Sequence, residues 1–96
     1  MASVMLRHKV ANYEGWKRAF DGFIEQRKAG GERTWRVWHA EDDPTNLFLL
    51  FEWDNFDNAR AFLANPELQA AMKDAGITEA PDVYFLEENY RGRTND

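Results

Sequence analysis

The order in which strand-like and helix-like hydrophobic patterns follow one another is the feature that most constrains the fold of this chain. Residues Ser3 to Val10 alternate with the period of two that is typical of a β-strand. From Tyr13 onward the apolar residues recur at helical spacing, until Gly30 and Gly31 end the pattern. The chain should therefore begin with a strand and an amphipathic helix, for which Asn12 is the expected N-cap.

Two further strands are predicted after this helix. Glu32 to Glu41 is rich in tryptophan, threonine and valine, and Leu47 to Trp53 is apolar on both of its faces. The stretch between them, Asp42 to Asn46, contains a proline and other residues that favour turns. The pattern predicts a hairpin of two strands.

A second helix and a last strand complete the pattern. Asp54 or Asn55 can cap the helix, and Asn65-Pro66 should interrupt it with a kink or a new helix start. The reason is that proline disfavours a helical conformation in the residue before it but suits the first turn of a helix. Gly76 should end the helix, and Asp82 to Glu88 should form the strand.

The resulting order, βαββαβ, predicts an α+β domain of the ferredoxin-like kind. In such a domain a four-stranded antiparallel sheet carries both helices on one face. A chain of 96 residues has room for a single core. We assign residues 1–90 to this domain and residues 91–96 to a flexible polar tail.

The sheet face opposite the helices is the expected contact surface of a homodimer. Two helices cover one face only, and the other face of such a sheet is normally polar. Here it should combine part of the first strand with one side of the third, which gives it Met5, Arg7, Lys9, Phe48, Leu50 and Glu52. Exposing this apolar area would cost roughly 25 cal/mol per Å², so we expect two copies to pack face to face, with Arg7 or Lys9 near Glu52.

Composition narrows the classes of function. A net charge of -5 and a pI near 5.0 argue against nucleic-acid binding, which depends on clustered lysine and arginine. The absence of cysteine excludes disulfides, thiolate metal sites and cysteine nucleophiles. The longest apolar run, Leu47 to Phe51, is too short for a membrane helix. We therefore expect a cytoplasmic protein without nucleic-acid or membrane partners.

His8 is the candidate for chemistry, because it is a titratable group among apolar neighbours on a central strand. If the odd-numbered residues of the second and third strands share its face, aromatic side chains from the sheet and the first helix surround it. This pocket should hold a small hydrophobic or aromatic molecule through Trp16, Phe20, Trp35, His39, Phe51 and Trp53. Tyr13 is a second candidate catalytic residue, as a hydrogen-bond donor to a developing oxyanion.

Structural interpretations of the same residues stay open. His8 can be a core histidine that bonds to the backbone or to a tyrosine, and Tyr13 can pack at the helix entry. The tryptophans can simply fill a small core. His39 lies near the hairpin and is expected to be exposed. Two histidines without a spaced set of carboxylate ligands make a poor metal site, so we expect neither metal nor cofactor.

Several short motifs resemble those of a known family. They are His8-Lys9-Val10, Asn12-Tyr13-x-x-Trp16-Lys17, Asp43-Pro44, Phe51-Glu52-Trp53, Ala59-x-x-Phe62-Leu63 and Ala75-Gly76-Ile77. Over about residues 4–88 the chain resembles the dimeric α/β-barrel proteins related to antibiotic biosynthesis monooxygenases. The resemblance implies a homodimer that forms an α/β barrel. Its members include cofactor-free oxygenases acting on aromatic polyketides, haem-degrading oxygenases, lactone isomerases and polyketide cyclases.

The residues favour some of these activities over others. Haem-degrading relatives hold iron with a histidine on the second helix, and the stretch from Phe56 to Ala75 has none. They also use an asparagine on the first strand, where this chain has His8. The catalytic asparagine and tryptophan of the anthrone-oxidising relatives have no unambiguous counterparts here.

Two hypotheses of function follow. In the first, the protein is a cofactor-independent monooxygenase or cyclase that acts on a small aromatic or polyketide-like substrate in the pocket between sheet and helices. His8 would remove a proton from an acidic C–H or a phenol. In the second, it is a non-catalytic protein that binds a small molecule or a partner on the same dimeric scaffold.

Overall fold

The computed structural model describes residues 2–77 and 79–95, and within them the chain forms four strands and four helices. In chain order these are β1 (Ala2–Lys9), α1 (Tyr13–Gly22), α2 (Ile24–Gly30), β2 (Glu32–Ala40), β3 (Asp43–Trp53), α3 (Phe56–Leu63), α4 (Pro66–Asp74) and β4 (Asp82–Leu86). The strands form one antiparallel sheet in the order β2-β3-β1-β4. The predicted α+β, ferredoxin-like fold is confirmed.

Asparagine side chains begin three of the helices. Asn12 Oδ1 accepts a hydrogen bond from the backbone N–H of residue 15 at 2.8 Å, and Asn55 Oδ1 accepts one from residue 58 at 2.7 Å. Asn65 Oδ1 accepts from the backbone N–H of Glu67 at 2.8 Å, and Pro66 takes the first helical position. Of the two expected outcomes at Asn65-Pro66, a kink or a new helix start, the structure shows the new start.

The first predicted helix is two helices. Phe23 separates them with φ −95° and ψ 8°, and its N–H bonds back to the Phe20 carbonyl at 3.2 Å. The second of the two, α2, ends at Gly31 with a φ of 117°, a conformation that favours glycine. The prediction of one continuous helix was therefore wrong at Phe23.

The hairpin turn is shorter than predicted. β2 ends at Ala40 and β3 already begins at Asp43, whose partner across the hairpin is Ala40. The Asp43 side chain accepts hydrogen bonds from the N–H and the hydroxyl of Thr45, at 3.0 and 2.7 Å. Pro44 fits because a strand tolerates proline near its start. The last strand is also shorter than predicted and ends at Leu86.

The core lies between the sheet and the helices. The even-numbered residues of β1 point toward the helices, and Trp16 and Ala59 reach them from α1 and α3. The buried apolar residues are Ala2, Val4, Leu6, Val10, Trp16, Leu47, Leu49, Phe51, Trp53, Ala59 and Ile77. His8 belongs to the same inward row of β1.

We call the opposite side of the sheet the open face. It holds half-buried Met5, Phe48 and Leu50, and exposed Trp38, Tyr84 and Leu86. Several of its charged and polar residues have partners within the chain, as three contacts show. Ser3 Oγ donates to Glu52 at 2.8 Å, Arg7 Nε donates to Asn46 at 2.9 Å, and Lys9 pairs with Asp43 at 3.3 Å.

The limits of the predicted domain and tail stay predictions. Met1, Thr78 and Asp96 lie outside the described residues, so neither end of the assigned ranges is fully described. Residues 87–93 have no helix or strand. In the described part of the chain, no helix is long and apolar enough to cross a membrane. The expected cytoplasmic location also stays a prediction.

Candidate functional site

A cavity of about 80 Å³ lies between the sheet and the helices. Its apolar lining comes from β1, β3, α1, α3, α4 and their connections: Val4, Leu6, Trp16, Ala19, Phe20, Phe23, Leu49, Phe51, Trp53, Phe62, Leu63, Leu68, Ala71, Met72, Ala75 and Ile77. The ionisable side chains that line it, within residues 2–77 and 79–95, are His8, Arg27 and Glu32. The cavity is thus an apolar chamber with a few polar groups that can orient a ligand.

His8 faces this cavity because of its place in β1. It lies opposite Leu47 of β3 in the inward row, and its side chain is only 5% exposed. The Trp16 ring meets it edge to face, with 6.0 Å between the ring centroids. Neither Nδ1 nor Nε2 has a hydrogen-bond partner among the described residues. A core histidine held by the backbone or by a tyrosine would show such a bond.

Burial also sets the protonation state of His8. Desolvation, with a smaller contribution from the charge of Arg7, lowers the pKa of His8 from 6.5 to about 4. The ring is therefore neutral at physiological pH. A neutral imidazole has one N–H donor and one nitrogen that accepts a hydrogen bond or a proton. His8 can consequently receive a proton from a bound molecule, or bond to its hydroxyl or carbonyl group.

Aromatic rings continue from His8 along the cavity. Trp16 and Phe20, one helical turn apart on α1, stack with 4.9 Å between their centroids. The Phe51 ring of β3 lies 6.2 Å from Phe20. Trp53 lines the far part of the cavity. Five of the predicted site residues, His8 and these four, are therefore brought together around one space.

Three predicted site residues lie outside the lining. Tyr13 is 38% exposed and contacts the Trp16 ring at 5.8 Å. Trp35 is 42% exposed and packs edge to face on Phe20 at 6.0 Å. His39 is exposed, and its Nδ1 lies 2.9 Å from the Ala40 carbonyl oxygen. Tyr13 thus contacts the lining through Trp16, and Trp35 contacts it through Phe20 and Arg27.

Arg27 and Glu32 are site residues that the sequence analysis missed. They form a buried ion pair at the cavity wall. Arg27 follows Phe20 by seven residues and Phe23 by four, which places it on the apolar stripe of the first helical segment. A charged residue on such a stripe is the signal that could have identified it.

A β-bulge explains why Glu32 points inward. Thr34 pairs with Glu52 and Trp35 with Phe51, so the odd-numbered residues of β2 should face the helices. Between Glu32 and Thr34 the register shifts, since β2 advances two residues while β3 advances one. Such a bulge turns the residue before it to the other face. Glu32 therefore shares the helix side of the sheet with Trp53.

No cluster of three or more histidine, cysteine, aspartate or glutamate side chains that could hold a metal ion occurs in the part of the chain that the structure describes.

Solved structures share this fold over nearly the whole chain. SnoaB, a cofactor-independent oxygenase from Streptomyces nogalater, aligns with a TM-score of 0.69 and 14% identity over 99% of this chain and 97% of its own. An antibiotic biosynthesis monooxygenase gives 0.70 and 10% identity over 94% and 100%. A conserved protein from Methanosarcina mazei gives 0.71 and 12% identity over 92% of each chain.

These likenesses confirm the resemblance inferred from the motifs at the level of the fold. The chain has the α+β fold of the antibiotic biosynthesis monooxygenase-like proteins. No protein-family model matches the sequence, and no curated protein is significantly similar to it. Since one fold supports many activities, the function has to be argued from the site.

Proposed function

We propose that the protein is a cofactor-independent oxygenase or cyclase that acts on a small aromatic or polyketide-like molecule in the cavity. The proposal rests mainly on the environment of His8. This buried, neutral base lines an apolar cavity, and neither of its ring nitrogens has a hydrogen-bond partner among the described residues. The fold, which SnoaB shares, supports the same chemistry.

His8 begins the reaction by taking a proton from an acidic C–H or phenol group of the substrate. The electron pair left on the substrate then forms a C–O bond with O2, and the imidazolium returns its proton to the outer oxygen, which gives a hydroperoxide. Loss of water from a hydroperoxide at a CH2-derived carbon breaks the O–O bond and leaves a carbonyl. One oxygen atom enters the product and the other leaves as water, so the four electrons balance. In a cyclase, the same carbanion attacks a carbonyl carbon of its own chain, the π electron pair of that carbonyl moves to its oxygen, and the imidazolium of His8 protonates the resulting alkoxide.

The lowered pKa restricts the substrate. A base whose conjugate acid has a pKa of about 4 is always available but weak. Proton transfer from the substrate to His8 is favourable only when the resulting substrate anion is delocalised and stays next to the imidazolium. There the low dielectric strengthens the attraction between the two charges. Extended aromatic rings meet this requirement, and they also fit against Trp16 and Phe20.

The cavity must widen to admit such a molecule. Pockets for drug-sized ligands have about 300–1,000 Å³, and this cavity has about 80 Å³. The wall with the least buried contact is α4, which has no buried residue. We infer that α4 moves outward when the ligand enters, because elements with little buried area open most easily.

A homodimer formed through the open face is the second part of the proposal. Trp38, Tyr84 and Leu86 are 40%, 56% and 38% exposed there, beside half-buried Met5 and Leu50. A contiguous apolar patch of this kind marks an interaction surface. Two sheets that meet through it would form the expected dimeric α/β barrel, with each cavity on the outer side of its sheet.

Non-catalytic binding of a small molecule is the other candidate function. Oxygen uptake with anthrone distinguishes the oxygenase from non-catalytic binding. We expect wild-type protein to consume O2 and form the quinone, and His8→Ala to lose at least about 99% of the rate, since general base catalysis contributes roughly 100-fold or more.

His39→Ala is the matched control, because it removes the exposed histidine and should leave the rate unchanged. Circular dichroism must show that both variants keep the fold. Equal rates in wild type and His8→Ala would contradict the catalytic role of His8. Ligand binding without any turnover would instead support the binding function.

A further inference from the structure

The Arg27–Glu32 ion pair lies at the end of the cavity away from His8. Glu32 is opposite Trp53 of β3, whereas His8 is opposite Leu47. Six residues of an extended strand separate these two positions and span about 20 Å. The cavity therefore has two polar ends with an apolar, aromatic middle.

Each member of the pair has one polar atom left over. Arg27 Nη1 donates to Glu32 Oε2, and Arg27 Nη2 donates to the Phe20 carbonyl at 3.2 Å. Arg27 Nε and Glu32 Oε1 are buried and have no hydrogen-bond partner within the described residues. The two side chains are 4% and 3% exposed, and both residues line the cavity. One N–H donor and one carboxylate acceptor are thus available at this end of the cavity. They lie on opposite edges of the guanidinium, because the Nε–H bond points away from Nη1, which holds Glu32.

Aromatic rings hold the guanidinium in place. Its central carbon lies 3.7 Å from the Phe20 ring centroid and 4.8 Å from that of Trp35. Stacking and the two hydrogen bonds together fix the plane of the group, so the direction of its Nε–H is set before a ligand arrives. A preorganised donor of this kind binds a partner at low entropic cost.

We propose that Arg27 and Glu32 recognise a neutral ligand group in which a hydrogen-bond acceptor lies beside a donor. The proposal rests on the proposed function only because it requires a ligand in this cavity. A carboxamide, or a hydroxyl next to a carbonyl, has this form. Its oxygen accepts from Arg27 Nε, or its N–H or O–H donates to Glu32 Oε1. Glu32 repels a carboxylate and so offsets its attraction to Arg27, whereas a neutral group meets no such repulsion, so the site selects the neutral group over the anion.

Calorimetric titration with naphthamide, naphthoate and naphthalene tests this selectivity. Wild-type protein should bind naphthamide about tenfold or more tighter than either of the others, since hydrogen bonds to charged groups contribute that much. Glu32→Gln replaces the acceptor with a second donor and leaves the site positive. That variant should prefer naphthoate to naphthamide.

The double variant Arg27→Met with Glu32→Leu separates recognition from a structural role. Apolar replacement of a buried ion pair is usually tolerated by the fold. The double variant should unfold cooperatively, keep its affinity for naphthalene and lose the preference for naphthamide. This test stands even where Glu32→Gln does not fold.

Three results would overturn the inference: no binding of naphthamide to the wild type, equal affinities for the three molecules, or an unchanged preference in the folded variants. None of them depends on turnover. If the protein prefers naphthamide but does not consume oxygen, the recognition site is supported and the proposed oxygenase activity is refuted. If it consumes oxygen without preferring naphthamide, the oxygenase activity is supported and the recognition site is refuted.

Discussion

Burial decides the chemistry of His8. The alternation of β1 points it at the helices, where the surrounding side chains are apolar and Trp16 covers its ring edge to face. A register shift of one residue would move it to the open face, where water could bond to both nitrogens. On the inward side, desolvation lowers its pKa to about 4. A strand histidine with the ordinary pKa would change charge near neutral pH, whereas His8 is neutral there and can accept a proton or a hydrogen bond.

This pKa predicts how stability depends on pH. The unfolded chain protonates His8 near pH 6.5 and the folded chain only near pH 4, so protonation favours unfolding. The contribution of His8 is complete above pH 6.5 and is lost as the pH falls toward 4. Between pH 7 and pH 5 the loss should be about 2 kcal/mol in the free energy of unfolding.

Urea denaturation at the two pH values measures this loss. The acidic residues also titrate, so the comparison is with His8→Leu, which should lose about 2 kcal/mol less than the wild type. His39→Leu serves as the control and should lose as much as the wild type. If His8→Leu loses as much stability as the wild type over the same interval, the lowered pKa is refuted.

Helix α4 forms the wall of the cavity that is least firmly packed. Asn65 caps it and Pro66 starts it, so it is a separate unit from α3. Leu68, Ala71 and Met72 are half-buried and line the cavity, whereas Ala70 on the same helix is exposed. The helix can therefore be altered on its inner or its outer side.

Ala71→Leu should fill part of the cavity. The added carbons gain apolar contacts, which raises the free energy of unfolding by about 1 kcal/mol, and they occupy the space that a ligand needs. Naphthamide binding should be lost in calorimetry. Ala70→Leu makes the same substitution one residue away on the exposed side and should bind like the wild type. Unchanged binding in Ala71→Leu would show that ligands bind elsewhere.

Local signals predicted most of the elements. The alternation of β1 placed His8 on the inner face, and the capping asparagines and Asn65-Pro66 marked the helix starts, because these features depend on neighbouring residues. The break at Phe23 was not predicted, since the lone Gly22 before it is a weak signal and the apolar spacing continues.

The second polar end of the cavity could not be predicted, because it depends on contacts that the sequence pattern does not contain. Glu32 turns inward through a bulge at the start of β2, which shifts its side chain away from the face that alternation gives it. Arg27 can then be buried only because Glu32 is there to pair with it. The bulge in β2 and the burial of a charged residue on the helix thus had to occur together, and the hydrophobic pattern indicates neither of them.

The sheet separates the cavity from the open face. The cavity lies on the helix side, and the apolar open face lies on the other. Structures with 10–14% identity share this scaffold, so the fold constrains few of the residues at either surface. In the proposed dimer, changes at the open face should alter the molecular mass without altering the cavity.

Leu50→Glu tests the proposed interface. Leu50 lies in β3 opposite Met5 and Arg36, at the centre of the open face. Light scattering at micromolar concentration should give twice the chain mass for the wild type and the mass of one chain for this variant, because two buried carboxylates would repel each other. Ala70→Glu adds the same charge to the outer side of α4 and should remain dimeric. A monomeric wild type would contradict the interface.

The central claim is that His8 is a buried, neutral base that contacts a ligand in the cavity. Its most direct test is to follow the ring nitrogens of the two histidines by NMR, first in a titration with acid and then in a titration with naphthol. His39→Ala assigns the signals. We expect His8 to stay neutral until the pH approaches about 4. We also expect naphthol to shift the NMR signal of one His8 ring nitrogen but not the signals of His39. Protonation of His8 near pH 6.5, together with signals that naphthol does not move, would contradict the account.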